Sequence, residues 1–132
     1  MQWILTRKKV LILKNVKLYA YKNCQTCKKA TKFLDKLGLS YELIAIEETP
    51  PSMEELKLAV KQNDGLVRKL FNTSGQLYRG MGLSQKMSAM SEEEALSLLQ
   101  EHGMLVKRPF LCINSRQTAV GFKEEVWSSL LA

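Results

Sequence analysis

Two cysteines three positions apart, Cys24-Gln25-Thr26-Cys27, are the residues of this 132-residue chain best suited to chemistry. By itself a C-x-x-C pair fits zinc ligation, thiol redox chemistry or two small apolar residues in a core. Its position says more than its spacing. A strand-forming stretch, Val16-Lys17-Leu18-Tyr19-Ala20, ends just before it, and an apolar repeat at i, i+3, i+4, i+7, formed by Ala30, Phe33, Leu34 and Leu37, follows it. Cys24 is therefore expected where a helix begins. The free backbone N–H groups and the positive end of the helix dipole there favour thiolate over thiol. Lys22, Lys28 and Lys29 add positive charge nearby. On the redox reading Cys24 is the nucleophile, and Cys27, one turn further in, attacks a mixed disulfide on Cys24 and releases the partner. A structural zinc site needs four ligands, and the only further Cys and His are Cys112 and His102, without a second paired motif.

The elements that must hold this pair follow from periodicity and punctuation. The first helix stops at Gly38, and Tyr41 to Ile46 reads as a second strand. Ser52-Met53-Glu54-Glu55 and Ser91-Glu92-Glu93-Glu94 both carry capping-box spacing ahead of apolar helical patterns. A short helical stretch carries Leu66, Leu70 and Phe71, and the glycine-bearing segment from Asn72 to Gln85 is expected to be mostly loop. Phe110–Ile113 and Thr118–Val120 read as paired strands around a turn at Asn114-Ser115, and Val126, Trp127, Leu130 and Leu131 mark a final helix. The order β-α-β, helices, β-β-α predicts an α/β thioredoxin-like fold, a mixed sheet with flanking helices and a helical insertion in the middle of the chain. Cys112, in an apolar strand, is expected to be a buried, inert thiol. His102 sits at a helix end.

Composition sets the outer bounds. The chain has 45% hydrophobic and 25% charged residues, 7 Gly and 3 Pro, which excludes disordered and collagen-like classes. Three cysteines are too few, and odd in number, for a secreted disulfide scaffold, so a reducing, cytoplasmic setting is expected. The net charge of +7 is concentrated early, with ten Lys and Arg against one Asp in the first 40 residues. Such a patch suits an anion, an acidic protein surface or nucleic acid, and equally a solvated lysine-rich helix face. The apolar run Val10–Leu13 is too short for a signal-peptide core, and no membrane span is read. Residues 1–15 are treated as an N-terminal extension, disordered or an extra strand, and 16–132 as the domain.

Three stretches together, Tyr21 to Ala30, Lys69-Leu70-Phe71-Asn72-Thr73 and Met104-Leu105-Val106-Lys107-Arg108-Pro109, resemble the arsenate-reductase-like family. That family includes glutaredoxin-dependent arsenate reductases and Spx-type regulators. Val120 to Glu125 is similar as well. The resemblance implies a thioredoxin-like fold with Cys24 as the reactive cysteine, Cys27 as its disulfide partner and Arg108 beside the thiolate. Pro109 is implied to be a cis-proline at the border of the active site. A guanidinium at that place stabilises a thiolate and can fork onto an oxyanion. The arsenate reductases hold their oxyanion with three arginines, whereas Asn72 and Phe122 stand at two of those places here, and neither Arg68 nor Arg116 falls at a matching position. The C-x-x-C pair is instead similar to that of the Spx-type members.

Two functions follow from the resemblance. The first is thiol–disulfide exchange with a disulfide partner protein, with no bound cofactor and with glutathione, glutaredoxin or thioredoxin as reductant. The second is an Spx-type redox sensor that binds the C-terminal domain of the α chain of RNA polymerase. True arsenate reduction ranks third. The protein is expected to be monomeric, with neither membrane association nor sequence-specific nucleic-acid binding.

Overall fold

The computed structural model describes residues 15–132. The reading of an extension over 1–15 lies, apart from Asn15, outside the described residues. Four strands form one mixed sheet in the order β2-β1-β3-β4: β1 (Val16–Ala20), β2 (Glu42–Ala45), β3 (Phe110–Ile113) and β4 (Gln117–Val120). β1 runs parallel to β2 and antiparallel to β3, and β3 runs antiparallel to β4. Between β1 and β2 lies α1 (Gln25–Lys36), as a parallel crossover requires. The insertion comprises α2 (Met53–Gln62), α3 (Gln76–Gly80), α4 (Leu83–Lys86) and α5 (Glu92–Glu101), with 3-10 turns at Val67–Leu70, Met87–Ala89 and Gly103–Leu105. The chain closes with α6 (Glu124–Leu131). This is the thioredoxin-like α/β fold with a central helical insertion.

Strand alternation divides the core between the two faces. Val16, Leu18, Ala20, Leu111 and Ile113 pack with Ala30 and Leu34 of α1 and Trp127 and Leu131 of α6. Tyr19, Phe110 and Cys112 point the other way, into Leu56, Ala59 and Val60 of α2 and Leu96 and Leu99 of α5. Both predicted capping boxes form: Ser52 with Glu55, and Ser91 with Glu94. α1 ends in a Schellman motif, with Gly38 at φ +71, its N–H donating to Asp35 O and the Leu39 N–H donating to Leu34 O.

Glu55 does more than cap. Its Oε1 also accepts from the buried Tyr19 hydroxyl at 2.6 Å, and its Oε2 lies 3.6 Å from Lys17 Nζ. Burial pushes this carboxyl up, but the Tyr19 hydroxyl, the Ser52 N–H and Lys17 together hold it below the usual carboxylate range. At the far edge of the sheet, Gln62 Oε1 accepts from both Thr118 N and Thr118 Oγ1 at 2.7 Å, tying α2 to β4.

The segment Asn72–Gln85, expected as mostly loop, instead holds α3 and α4. Helices of five and four residues are too short to show a 3.6-residue repeat, and in isolation they would not form. They persist because Tyr78 and Leu83 are buried in the insertion's core.

Gly103 is the tightest approach in the insertion. A Cβ there would run into the Ile46 carbonyl group and the Pro50 ring. Gly103→Ala is expected to lower unfolding free energy by about 3 kcal/mol, read as a lower denaturant midpoint at unchanged slope. Gly80→Ala, where a Cβ meets open space inside a helix, should be neutral or stabilising by up to about 1 kcal/mol.

Candidate functional site

The chain leaves β1 at Ala20, turns through Tyr21-Lys22-Asn23 and enters α1 with Cys24 as its N-cap residue. The turn is fixed by the Cys24 N–H donating to Tyr21 O at 3.1 Å. Serine, threonine, aspartate or asparagine would ordinarily supply a capping oxygen here. In their place Cys24 Sγ accepts the Cys27 N–H at 3.3 Å. The sulfur therefore takes up one of the helix's orphan donors and sits at the positive end of a twelve-residue helix.

Cys24 is half-buried and Cys27 is only 2% exposed. All three cysteines are free thiols, so the geometry is that of the reduced site. Burial pushes the Cys24 thiol up. It is outweighed by the Cys27 thiol and N–H, both donating to the sulfur, and by the Arg108 guanidinium alongside, which together hold Cys24 below the ordinary thiol range. Cys27 moves the other way, pushed up to about 12 by burial and by donating to Cys24. The two thiols are thus driven apart, the outer sulfur ionising more readily than the inner one.

Arg108 reaches Cys24 from the segment that leads into β3. The residues before it are braced: the Lys107 N–H donates to Leu70 O at 2.8 Å, the Asn72 N–H donates to Leu105 O at 2.7 Å, and Phe71 bridges Val106. The Arg108–Pro109 bond is cis, and Pro109 is buried with its carbonyl accepting from the Gly121 N–H. The guanidinium carbon lies 5.4 Å from the centre of the Tyr21 ring, and Nη1 donates to Met104 O at 3.2 Å. Nη1 also faces Met104 Sδ at 3.7 Å, and Nε is buried with no partner among the described residues.

The structure thus gathers Cys24, Cys27 and Arg108 in one place. Arg116 lies apart from them at the β3–β4 turn, at the sheet end where β1 begins, and Arg68 lies in the Val67–Leu70 turn. Phe122 packs against Phe33 and Trp127, with ring centres 5.5 and 4.9 Å away. Cys112 is 1% exposed and is pushed up to about 11 by burial and by neighbouring Glu55. His102 lies 3.8 Å from Glu101 at the end of α5. Among the described residues no three His, Cys, Asp or Glu side chains come together as a metal site, and no helix is long and apolar enough to cross a membrane.

Tyr21 and Met104 contact the Arg108 guanidinium, and neither residue type signals that role in the sequence. The available signals were slight: Tyr21 adjoins the cysteine motif, and Met104 precedes Arg108 by four residues. A cleft of about 550 Å³ opens beside Cys27 between α1 and β2, with Lys22 and Lys28 on one rim and Glu47 and Glu48 on the other.

Comparison with known proteins agrees with this architecture. The chain is 48% identical over 108 residues to the uncharacterized protein YusI of Bacillus subtilis, covering 81% of this chain and 90% of that protein. The solution structure of SACOL0876 from Staphylococcus aureus superposes with a TM-score of 0.75 at 44% identity, covering 89% and 99% of the two chains. The global transcriptional regulator Spx of Bacillus subtilis is 23% identical over 110 residues, which is 83% of this chain and 82% of the regulator. The ArsC family model matches residues 19–130, nearly all of the sheet and its helices, and the chain belongs to the ArsC family.

Proposed function

We propose that this protein carries out thiol–disulfide exchange through the Cys24–Cys27 pair. The observation that carries the proposal is the Cys24 sulfur at the α1 N-cap, holding the Cys27 N–H at 3.3 Å with Arg108 beside it. The Cys24 thiolate attacks one sulfur of a partner disulfide, forming a mixed disulfide and expelling the partner's second sulfur as thiolate. Cys27 then loses its proton to that leaving thiolate or to water and attacks Cys24 Sγ. The partner is released as a dithiol, and Cys24 and Cys27 are left oxidised to a disulfide. A thiol reductant of the glutathione, glutaredoxin or thioredoxin kind resets the pair. Pro109 borders the site in this scheme, and Arg108 stabilises the thiolate in each half-reaction.

A second reading is supported by the similarity to Spx and by the exposed lysines 22, 28, 29 and 36 on and beside α1. In it the same disulfide alters the affinity for the C-terminal domain of the RNA polymerase α chain. Arsenate reduction is the weakest of the three, because Phe122 is packed among aromatic rings where an oxyanion-binding arginine would be needed.

Cys24→Ser should abolish turnover of a disulfide substrate, whereas Cys27→Ser should accumulate a mixed disulfide that mass spectrometry resolves as a covalent adduct. Normal turnover by the Cys24→Ser protein would remove the mechanism. Because Arg108 helps to hold the Cys24 pKa down, Arg108→Ala raises the midpoint of its alkylation profile. Iodoacetamide should then label Cys24 roughly three- to tenfold more slowly at pH 7, with the two rates converging above both midpoints. Capture of the purified polymerase α domain by only one of the oxidised and reduced forms would favour the sensor reading, and capture by neither form would remove it.

A further inference from the structure

Met104 contributes two acceptors to Arg108: its carbonyl oxygen at 3.2 Å and its thioether sulfur at 3.7 Å, both to Nη1. The thioether is a weak acceptor. Guanidinium Nε is buried and has no acceptor among the described residues. The cation beside Cys24 is therefore loosely held on one side, by a sulfur that is itself chemically alterable. Met104 is half-buried and sits on the Gly103–Leu105 turn that Ile46 and Pro50 pack against.

We infer that Met104 is an oxidation site whose sulfoxide draws Arg108 away from Cys24 and so lowers the reactivity of the dithiol. The inference rests on the exchange mechanism proposed above. In the oxidation step the Met104 Sδ lone pair attacks one oxygen of a hydroperoxide. The S–O bond forms as the O–O bond breaks, sulfur is oxidised by two electrons, and the other oxygen leaves as alcohol or water with the peroxide proton. The product oxygen is a strong, polar acceptor in place of a weak one. It stands beside Nη1, which already faces the sulfur. A guanidinium held there gives less of its charge to the Cys24 sulfur. The other positive influences on that sulfur are unchanged: the Cys27 thiol and N–H, the α1 N-terminus, and Lys22, Lys28 and Lys29. Reactivity is reduced rather than abolished.

The test uses the full-length protein. With Cys24 and Cys27 first joined as a disulfide, those two thiols are protected from tert-butyl hydroperoxide, and Cys112 is shielded by burial. Dithiothreitol then reduces the disulfide but not the sulfoxide. Peptide mapping should show one added oxygen on Met104, and the alkylation profile of Cys24 should move to higher pH, with labelling at pH 7 slowed by about threefold or more. Methionine sulfoxide reductase should restore the original profile. Met104→Leu, put through the same treatment, should show no shift, and Met104→Gln should show one without peroxide. Oxidised Met104 with an unchanged profile, or an equal shift in Met104→Leu, would overturn the inference. Failure of the pair to form a disulfide, or ordinary thiol titration of Cys24 before any peroxide, would overturn the exchange mechanism itself.

Discussion

A sulfur atom occupies a position that oxygen usually fills. Cys24 caps α1, and its acceptance of the Cys27 N–H couples the start of a helix to the charge state of a thiol. The other features of the site reinforce that one contact. β1 delivers the chain to the turn, α1 supplies the dipole, and the crossover to β2 buries the helix so that its first turn stays formed. Arg108 then adds a full charge to the partial charges of the backbone. Cys27 enters the proposed exchange differently: buried and with its pKa pushed up, it would hold its proton until a bond to Cys24 makes its own attack productive.

The insertion has a share in this geometry although it contributes no cysteine. Its chain at Leu70–Asn72 hydrogen-bonds to Leu105 and Lys107, which fixes the segment that carries Arg108. The Gly103–Leu105 turn brings Met104 up to the guanidinium, and the Tyr21 ring lies against it from the cysteine loop. Arginine is thus held by a carbonyl, a thioether and an aromatic face. No carboxylate neutralises it in these contacts, and its charge is left to act on the sulfur.

Much of this was legible in the sequence because it is local. The capping boxes at Ser52 and Ser91, the stop at Gly38 and the placement of Cys24 at a helix start depend on residues within a few positions of one another. The burial of Cys112 followed from its apolar strand. Arg108 and Pro109 were visible only through the resemblance, since no spacing rule links a strand-start arginine to a cysteine 84 positions earlier. The contacts of Met104 and Tyr21 were not legible, because they arise when three separate segments converge. α3 and α4 were missed because their stability comes from burying Tyr78 and Leu83 rather than from any repeat of their own. Glu55 was read only as a cap, and its bond to Tyr19 spans 36 positions across the core.

The fold makes one of three thiols ionise early. Titration of thiolate ultraviolet absorbance on the reduced protein, compared with the Cys24→Ser variant, measures this directly. One thiol is expected to ionise earlier than an ordinary thiol and to be lost in Cys24→Ser, with the other two ionising well above the ordinary range. Three thiols that ionise at or above the ordinary value, or an early step that persists in Cys24→Ser, would contradict it.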